Sequence, residues 1–490
     1  MRRFGLIYCF VFVFVLACTP GNGSDPYGDG LTPVGDYGIE PTPGGKTDTG
    51  YLSDLATEIE GLFYATVIVD GREMSEEARA YYTEGLMKEN SRALQALADP
   101  QIKYAKNQLN SFKLHLNLTS SSVTGLKSEI TEDGYIHVDY QASVESIITK
   151  IDLDELGISM AELLQKSFQA IVPDDTSRMS TDVGVACLQQ GHPSHDYYYF
   201  YYFDPNQEGC AEAMEKAGIG RITAELKIHD LAPTKTVYPE YDLLKADGRI
   251  DIVVFFGAAD HDWVPGKWDW GIHSYNGFAR DIRSLGFEEK EHAPGQRFER
   301  TVGDRVESII MIGPETLKLL NEDSNGIFKE LVKKSEIIFY NGHSFYGSLD
   351  VLRDESIYPG SYQIFFMNSC WSYEYYTKQV FRANERPDDP KGWLLADVLN
   401  DTESGWFHNM TRESTILLNN LLLGIEHDGI DGDKFYTWDR IIAAMNKYAI
   451  EAQIDHRSET HEIYGVSGVR TNRFDPEAVE SDDTALGAPF

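Results

Sequence analysis

Two apolar runs in the second half of the chain each stop at a side chain capable of covalent chemistry, and this constrains the fold more than any other feature. Ile337, Ile338, Phe339 and Tyr340 lead through Asn341 and Gly342 to His343. Ile364, Phe365, Phe366 and Met367 lead through Asn368 and Ser369 to Cys370. Apolar runs without polar alternation suit strands buried on both faces, as in a parallel sheet covered by helices. In such sheets, function collects at the carboxyl ends of the strands. A parallel crossover needs roughly a dozen residues or more. The interval here holds a loop, a short helix expected around Leu349 to Arg353, and a turn at Pro359-Gly360. Both side chains can therefore emerge side by side on one sheet edge. Cysteine attacks as its thiolate and needs a base, a role that histidine fills well at neutral pH. A buried, inert cysteine beside a loop histidine is the structural alternative, and the paired strand-end placement favours chemistry.

The stretches Tyr340-Asn341-Gly342-His343-Ser344 and Phe366-Met367-Asn368-Ser369-Cys370 resemble the two signatures of caspase-like cysteine peptidases of clan CD, the group that includes CHAT-type domains, gingipains and metacaspases. The resemblance runs from about residue 247 to 466. Asp251 to Gly257 looks like the first sheet strand, Asn276 to Gly286 followed by Phe287 like the first helix and its exit, and Ile327 to Val332 like the helix before the histidine strand. It implies a Cys–His dyad of Cys370 and His343 that hydrolyses peptide bonds without a cofactor, with the oxyanion held by the backbone amides of Ser344 and Cys370. The family usually has glycine where Ser344 stands. Asp260 and Asp262 follow the first proposed strand. In basic-specific branches of the family, acidic residues near that edge receive Arg or Lys, so the resemblance implies cleavage after basic residues. A fold does not fix a function, so the alternative is a catalytically inactive caspase-like surface module that binds peptide or glycan.

Met1 to Ala17 begins with Arg2 and Arg3 and continues as an apolar stretch too short to span a bilayer, which reads as a signal peptide. Val15-Leu16-Ala17-Cys18 resembles a bacterial lipobox, which would make Cys18 the lipidated amino terminus and the membrane a partner through that anchor. Residues 18–50 are rich in Gly, Pro, Asp and Thr and read as a disordered tether. The expected location is the bacterial cell envelope, at the outer membrane or cell surface. The formal net charge of −35 repels phosphate backbones and argues against nucleic acid as a partner.

Outside the cytoplasm a disulfide between Cys187 and Cys210 is favoured, leaving Cys370 as the free thiol. A zinc site made from these two with His192 and His195 is its rival. The aromatic run Tyr197 to Phe203 suits a core strand better than a ligand platform. Residues 51–245 read as a separate α+β accessory domain. A helix is expected from Ser75 to about Ala98, ended by Pro100, then strands over Phe112 to Leu118 and Tyr135 to Val144, and a second helix over Ala161 to Ile171. His427 to Asp433 lacks the liganding register of a calcium loop and reads as a turn. The fold class is thus α/β: a caspase-like sandwich with a mostly parallel sheet over 246–466, preceded by the α+β domain and followed by a polar tail over 467–490. Replacing Cys18 with Ser should release the protein from membranes or block its processing, as read by fractionation. A wild-type protein that is soluble, with a free amino terminus downstream of residue 18, would contradict the anchor.

Overall fold

In the computed structural model, which describes residues 50–88, 91–179, 181–189, 202–231, 237–260, 262–320, 324–344, 349–456 and 462–476, the chain forms two unlike sheets that share a helix. Cys18, His192, His195 and His261 lie outside the described residues, as do the signal, the tether and most of the Tyr197 to Phe203 run. Among the described residues, no helix is long and apolar enough to cross a membrane.

The first half comprises β1 (Ala56–Asp70), α1 (Glu76–Leu86), α2 (Arg92–Asn110), β2 (His115–Leu116), β3 (Ser122–Ile130), β4 (Tyr135–Thr149), α3 (Lys150–Leu156), α4 (Met160–Leu163), β5 (Ser167–Pro173), α5 (Thr181–Ala186), α6 (Cys210–Ala217) and β6 (Arg221–Leu231). The six strands form an antiparallel sheet in the order β2-β4-β1-β6-β5, with β3 also on β4. Alternate residues of the long β1–β4 pair, such as Phe63, Val67, Tyr140 and Val144, face α2 through Leu94, Ala98, Ile102 and Leu109. Cys187 and Cys210 form the disulfide, with Cα atoms 4.5 Å apart, tying the exit of α5 to the start of α6.

Three local expectations need correcting. The single helix from Ser75 is two, because Ser91 caps a fresh start and accepts a hydrogen bond from the Leu94 amide. Pro100 lies inside α2 instead of ending it; burial of the surrounding apolar face outweighs the lost backbone hydrogen bond. Ala161 to Ile171 is the tail of α4 followed by β5, whose period-two pattern of Phe168, Ala170 and Val172 pairs in register with β6.

The second half adds α7 (Tyr241–Leu244), β7 (Arg249–Phe256), α8 (Trp270–Ser284), β8 (Glu288–Lys290), β9 (Gln296–Val302), β10 (Arg305–Ile312), α9 (Pro314–Leu320), α10 (Ser324–Val332), β11 (Ile337–Asn341), β12 (Gln363–Asn368), α11 (Ser372–Asn384), β13 (Ala396–Asp401), α12 (Met410–Glu426), β14 (Ile430–Asp431), β15 (Lys434–Phe435), α13 (Trp438–His456) and β16 (Tyr464–Ser467). The small β14–β15 pair places His427 to Asp433 in a turn. Eight strands form one mixed sheet in the order β16-β13-β12-β11-β7-β10-β9-β8, parallel from β13 to β10 and antiparallel at both margins. Ile252, Val254, Phe339 and Phe366 face α8, α12 and α13, while Val253, Phe255, Ile338 and Phe365 face α10 and α11. The two-sided apolar runs in the sequence thus mark strands covered on both faces. Beyond β16, Phe474 packs against Tyr238 and Tyr241, so the folded chain continues past the boundary expected at 467.

The halves meet along α11. Residues 50–53 run beside β16, where Leu52 and Val466 exchange both backbone hydrogen bonds at 2.7 and 2.9 Å. The Tyr373 hydroxyl of α11 donates to Glu58 Oε1 at 2.6 Å, and Lys378 pairs with Glu145 at 2.5 Å. One lysine thus serves two buried carboxylates. Burial, and then Glu145, push Glu58 up to about 8. A carboxyl raised on folding stabilises the fold fully below its ordinary value of 4.5, and that contribution is lost as pH rises through about 8. Stability should therefore fall across this window by up to about 1.4 kcal/mol per pH unit. Glu58→Gln should flatten that segment in a series of urea titrations; an unchanged slope would rule Glu58 out as its source.

Candidate active site

The parallel ladder between β11 and β12 ends at the pair Asn341 and Asn368, and the Gly342 amide still donates to the Asn368 carbonyl at 3.2 Å. His343 and Cys370 each lie two residues beyond that last pair, so the register brings them out together at the carboxyl edge. The Ser344 hydroxyl donates to the Cys370 carbonyl and ties the two strand exits. On the other side of β11, Gly257 donates to the Asn341 carbonyl at 2.8 Å as the chain leaves β7, and two residues later the Ala259 carbonyl lies 2.8 Å from His343 Nε2. A carbonyl can only accept, so Nε2 carries the proton and Nδ1 is the basic nitrogen. The ring also packs against Phe407, with centroids 4.8 Å apart. Burial lowers the His343 pKa from its ordinary 6.5, against the opposing pull of the Ala259 bond and of Asp269, so the imidazole is neutral at pH 7.

Asp269 holds the loop that presents Ala259. Its carboxylate accepts from the amides of Ala259 at 3.0 Å and Asp260 at 2.9 Å, and also from Gly271 at 2.7 Å as the amino-terminal cap of α8. The loop and the helix start are pressed so closely together that a Cβ on Gly271 would sit 1.9 Å from the Gly257 carbonyl oxygen.

Cys370 is 5 % exposed, and its Sγ lies 3.6 Å from the Gly405 carbonyl. Trp371 takes the left-handed conformation at φ 47°, costly for a side-chain-bearing residue. It is held there from two directions: its amide donates to the Glu403 carbonyl at 2.7 Å, and Lys106 of α2 lies 4.8 Å from its ring centroid. Helix α11 starts at the next residue, so the positive end of its dipole begins two residues after Cys370. Under the site, Asn368 donates to Asn341 and to Glu413, both at 3.0 Å, and accepts from the Tyr464 hydroxyl at 3.1 Å. Glu462 accepts from the Trp406 amide at 2.5 Å and from Asn409 at 2.6 Å, fixing the loop that carries Gly405 and Phe407. Burial raises Asp401, Glu413 and Glu462 above the usual carboxylate range. Negative charge on the neighbouring Cys370 sulfur adds to the rise at Asp401.

His343, Ser344 and Cys370 therefore converge as the strand ends imply. Ser344 is not in the left-handed region, so the position makes no demand for glycine. Asp260 and Asp262 are exposed on the loop just past Ala259, where Asp260 Oδ1 accepts from the Asp262 amide at 2.9 Å. The Cys187–Cys210 bridge belongs to the first half. Sequence reasoning missed Asp269, Phe407, Asp401, Glu413 and Glu462. Asp269 had a readable signal as a cap before an apolar helix, whereas the others reach the site through loops and helices distant in sequence. A cleft of about 380 Å³ lined by Arg249, Asp251, Arg297 and Lys334 opens by the amino ends of the strands, away from this edge. Comparison of the chain with protein-family models, with curated proteins and with solved structures gave no match. Gly271→Ala should cost about 1–3 kcal/mol by overpacking and slow alkylation of Cys370 by displacing the Ala259 carbonyl. Unchanged urea unfolding together with unchanged thiol reactivity would contradict this account of the loop.

Proposed function

We propose that the second half is a caspase-like α/β sandwich and that the protein is an extracytoplasmic cysteine peptidase, held to the cell envelope through lipid on Cys18. The observation that carries the reading is the shared register of His343 and Cys370 beyond the Asn341–Asn368 pair, with the imidazole tautomer fixed by a carbonyl acceptor. In the reaction, the Cys370 proton passes to His343 Nδ1 as sulfur attacks the scissile carbonyl. The amides of Ser344 and Cys370 receive the oxyanion. Collapse gives a thioester while the imidazolium protonates the leaving amine, and water, deprotonated by the same imidazole, releases the acid. Asp260 and Asp262 support a preference for Arg or Lys before the cleaved bond, because an exposed pair of carboxylates beside the His343 loop attracts a cationic side chain. Burial of Cys370 favours the second reading, an inactive module that binds peptide or glycan.

An electrophilic peptide probe separates the two. Native protein should be labelled at Cys370 faster than denatured protein, Cys370→Ala should abolish cleavage, and His343→Ala should slow labelling. The acid limb of the labelling rate should have its midpoint below 6.5, because the folded imidazole loses its proton more readily than a free one. Equal labelling of native and denatured protein, or none, would leave the binding module as the reading. Cleavage after acidic or small apolar residues, or a preference untouched by Asp260→Ala and Asp262→Ala, would remove the basic specificity alone.

A further inference from the structure

Where the two halves meet, a buried histidine is ringed by three carboxylates drawn from three separate elements. His115 of β2 is 5 % exposed, and neither of its ring nitrogens makes a hydrogen bond. Nε2 lies 3.0 Å from Glu403 Oε1, on the loop after β13, and 3.7 Å from Asp152 Oδ2, in the first turn of α3. Nδ1 lies 3.8 Å from Glu374 Oε1, in the first turn of α11. One donor atom each from His115, Asp152 and Glu403 falls within 4.8 Å of the others. Around a tetrahedral ion with bonds of about 2.0–2.2 Å, donor atoms stand roughly 3.3–3.6 Å apart. The Nε2 separations bracket that value, and the Glu374 carboxylate lies on the Nδ1 side of the ring at 3.8 Å, just beyond the reach of a hydrogen bond, so a small shift on metal binding would let it take the other ring N–H.

We propose that His115, Asp152 and Glu403 bind a divalent transition-metal ion of the zinc class, with Glu374 orienting the imidazole. The charges agree. Lys106 answers Glu374 at 3.0 Å and Lys113 answers Glu155 at 3.0 Å, so Asp152 and Glu403 remain, and a dication with a neutral imidazole balances them. A lone imidazolium would leave one negative charge over in a buried place, softened by Lys113 at 3.8 Å from Asp152. A nitrogen donor among two carboxylates selects the zinc class over calcium or magnesium. The ion would clamp the antiparallel sheet to the loop whose Glu403 carbonyl holds Trp371 and whose Gly405 carbonyl faces the thiol. It goes beyond the peptidase reading and does not depend on it.

The test uses the mature chain carrying Cys370→Ser, which removes a thiol that would itself take zinc and keeps the result independent of activity. After chelator dialysis, titration calorimetry with Zn2+ should show one equivalent bound, and the thermal midpoint should rise. Glu403→Gln, at a partly exposed position that should leave folding intact, and His115→Gln should each weaken binding by about 100-fold or more, and Glu374→Gln by about 10–100-fold. Absence of saturable Zn2+ binding, affinity unchanged in folded Glu403→Gln protein, or tighter binding of Ca2+ than of Zn2+ would overturn the proposal.

Discussion

Everything at the candidate site depends on the register of β11 against β12. Strand residues alternate between faces, so a slip of one residue would turn Phe339 and Phe366 from the α8–α12–α13 side to the other and set the two strand exits about 3.3 Å out of step. The apolar residues on both faces resist such a slip, and the amide of Asn368 on Asn341 locks the last rung from within. His343 and Cys370 inherit their proximity from that rung. Their side chains contribute little to the positioning themselves; they are carried to one place by two strands that could not pair otherwise without exposing their cores.

Around this fixed point the site is held by loops that belong to other strands. Asp269 gathers the exit of β7, buried Glu462 gathers the loop after β13, and the left-handed Trp371 redirects the chain from strand into helix. Lys106 and Glu374, 2 % and 0 % exposed as side chains, form an ion pair whose desolvation offsets most of its attraction. Its value is directional: the ammonium that meets Glu374 at 3.0 Å also lies 4.8 Å from the Trp371 ring centroid, so the first half of the chain supports the residue next to the thiol.

Legibility in the sequence followed range. The parallel strands were plain because two-sided burial writes itself as unbroken apolar runs, and the edge carrying His343 and Cys370 followed from where those runs end. The disulfide was legible from the count of cysteines and the expected compartment. Helix boundaries in the first half were not: Pro100 and the stretch from Ala161 to Ile171 were decided by packing against β1 and by pairing with β6, partners far away in sequence. The buried carboxylates were illegible for the same reason. Glu413 and Glu462 look like solvated helix and loop residues until α12 and the segment before β16 fold under the sheet edge. His115, within a short polar-apolar stretch, gave no hint that three other elements would close around it.

The pairing of Leu52 with Val466 has a mechanical consequence. Any tension on the segment before residue 50 reaches the folded protein through the Gly50 carbonyl, which accepts from the Val469 amide at 3.2 Å, and then through the two backbone hydrogen bonds of that pair, at the margin of the large sheet. Just before it, Tyr51 rests edge-on against Tyr373, with ring centroids 5.7 Å apart, on the helix that starts beside the thiol. Under the proposed anchoring through Cys18, drag along the preceding segment would thus reach the helix that starts two residues after Cys370.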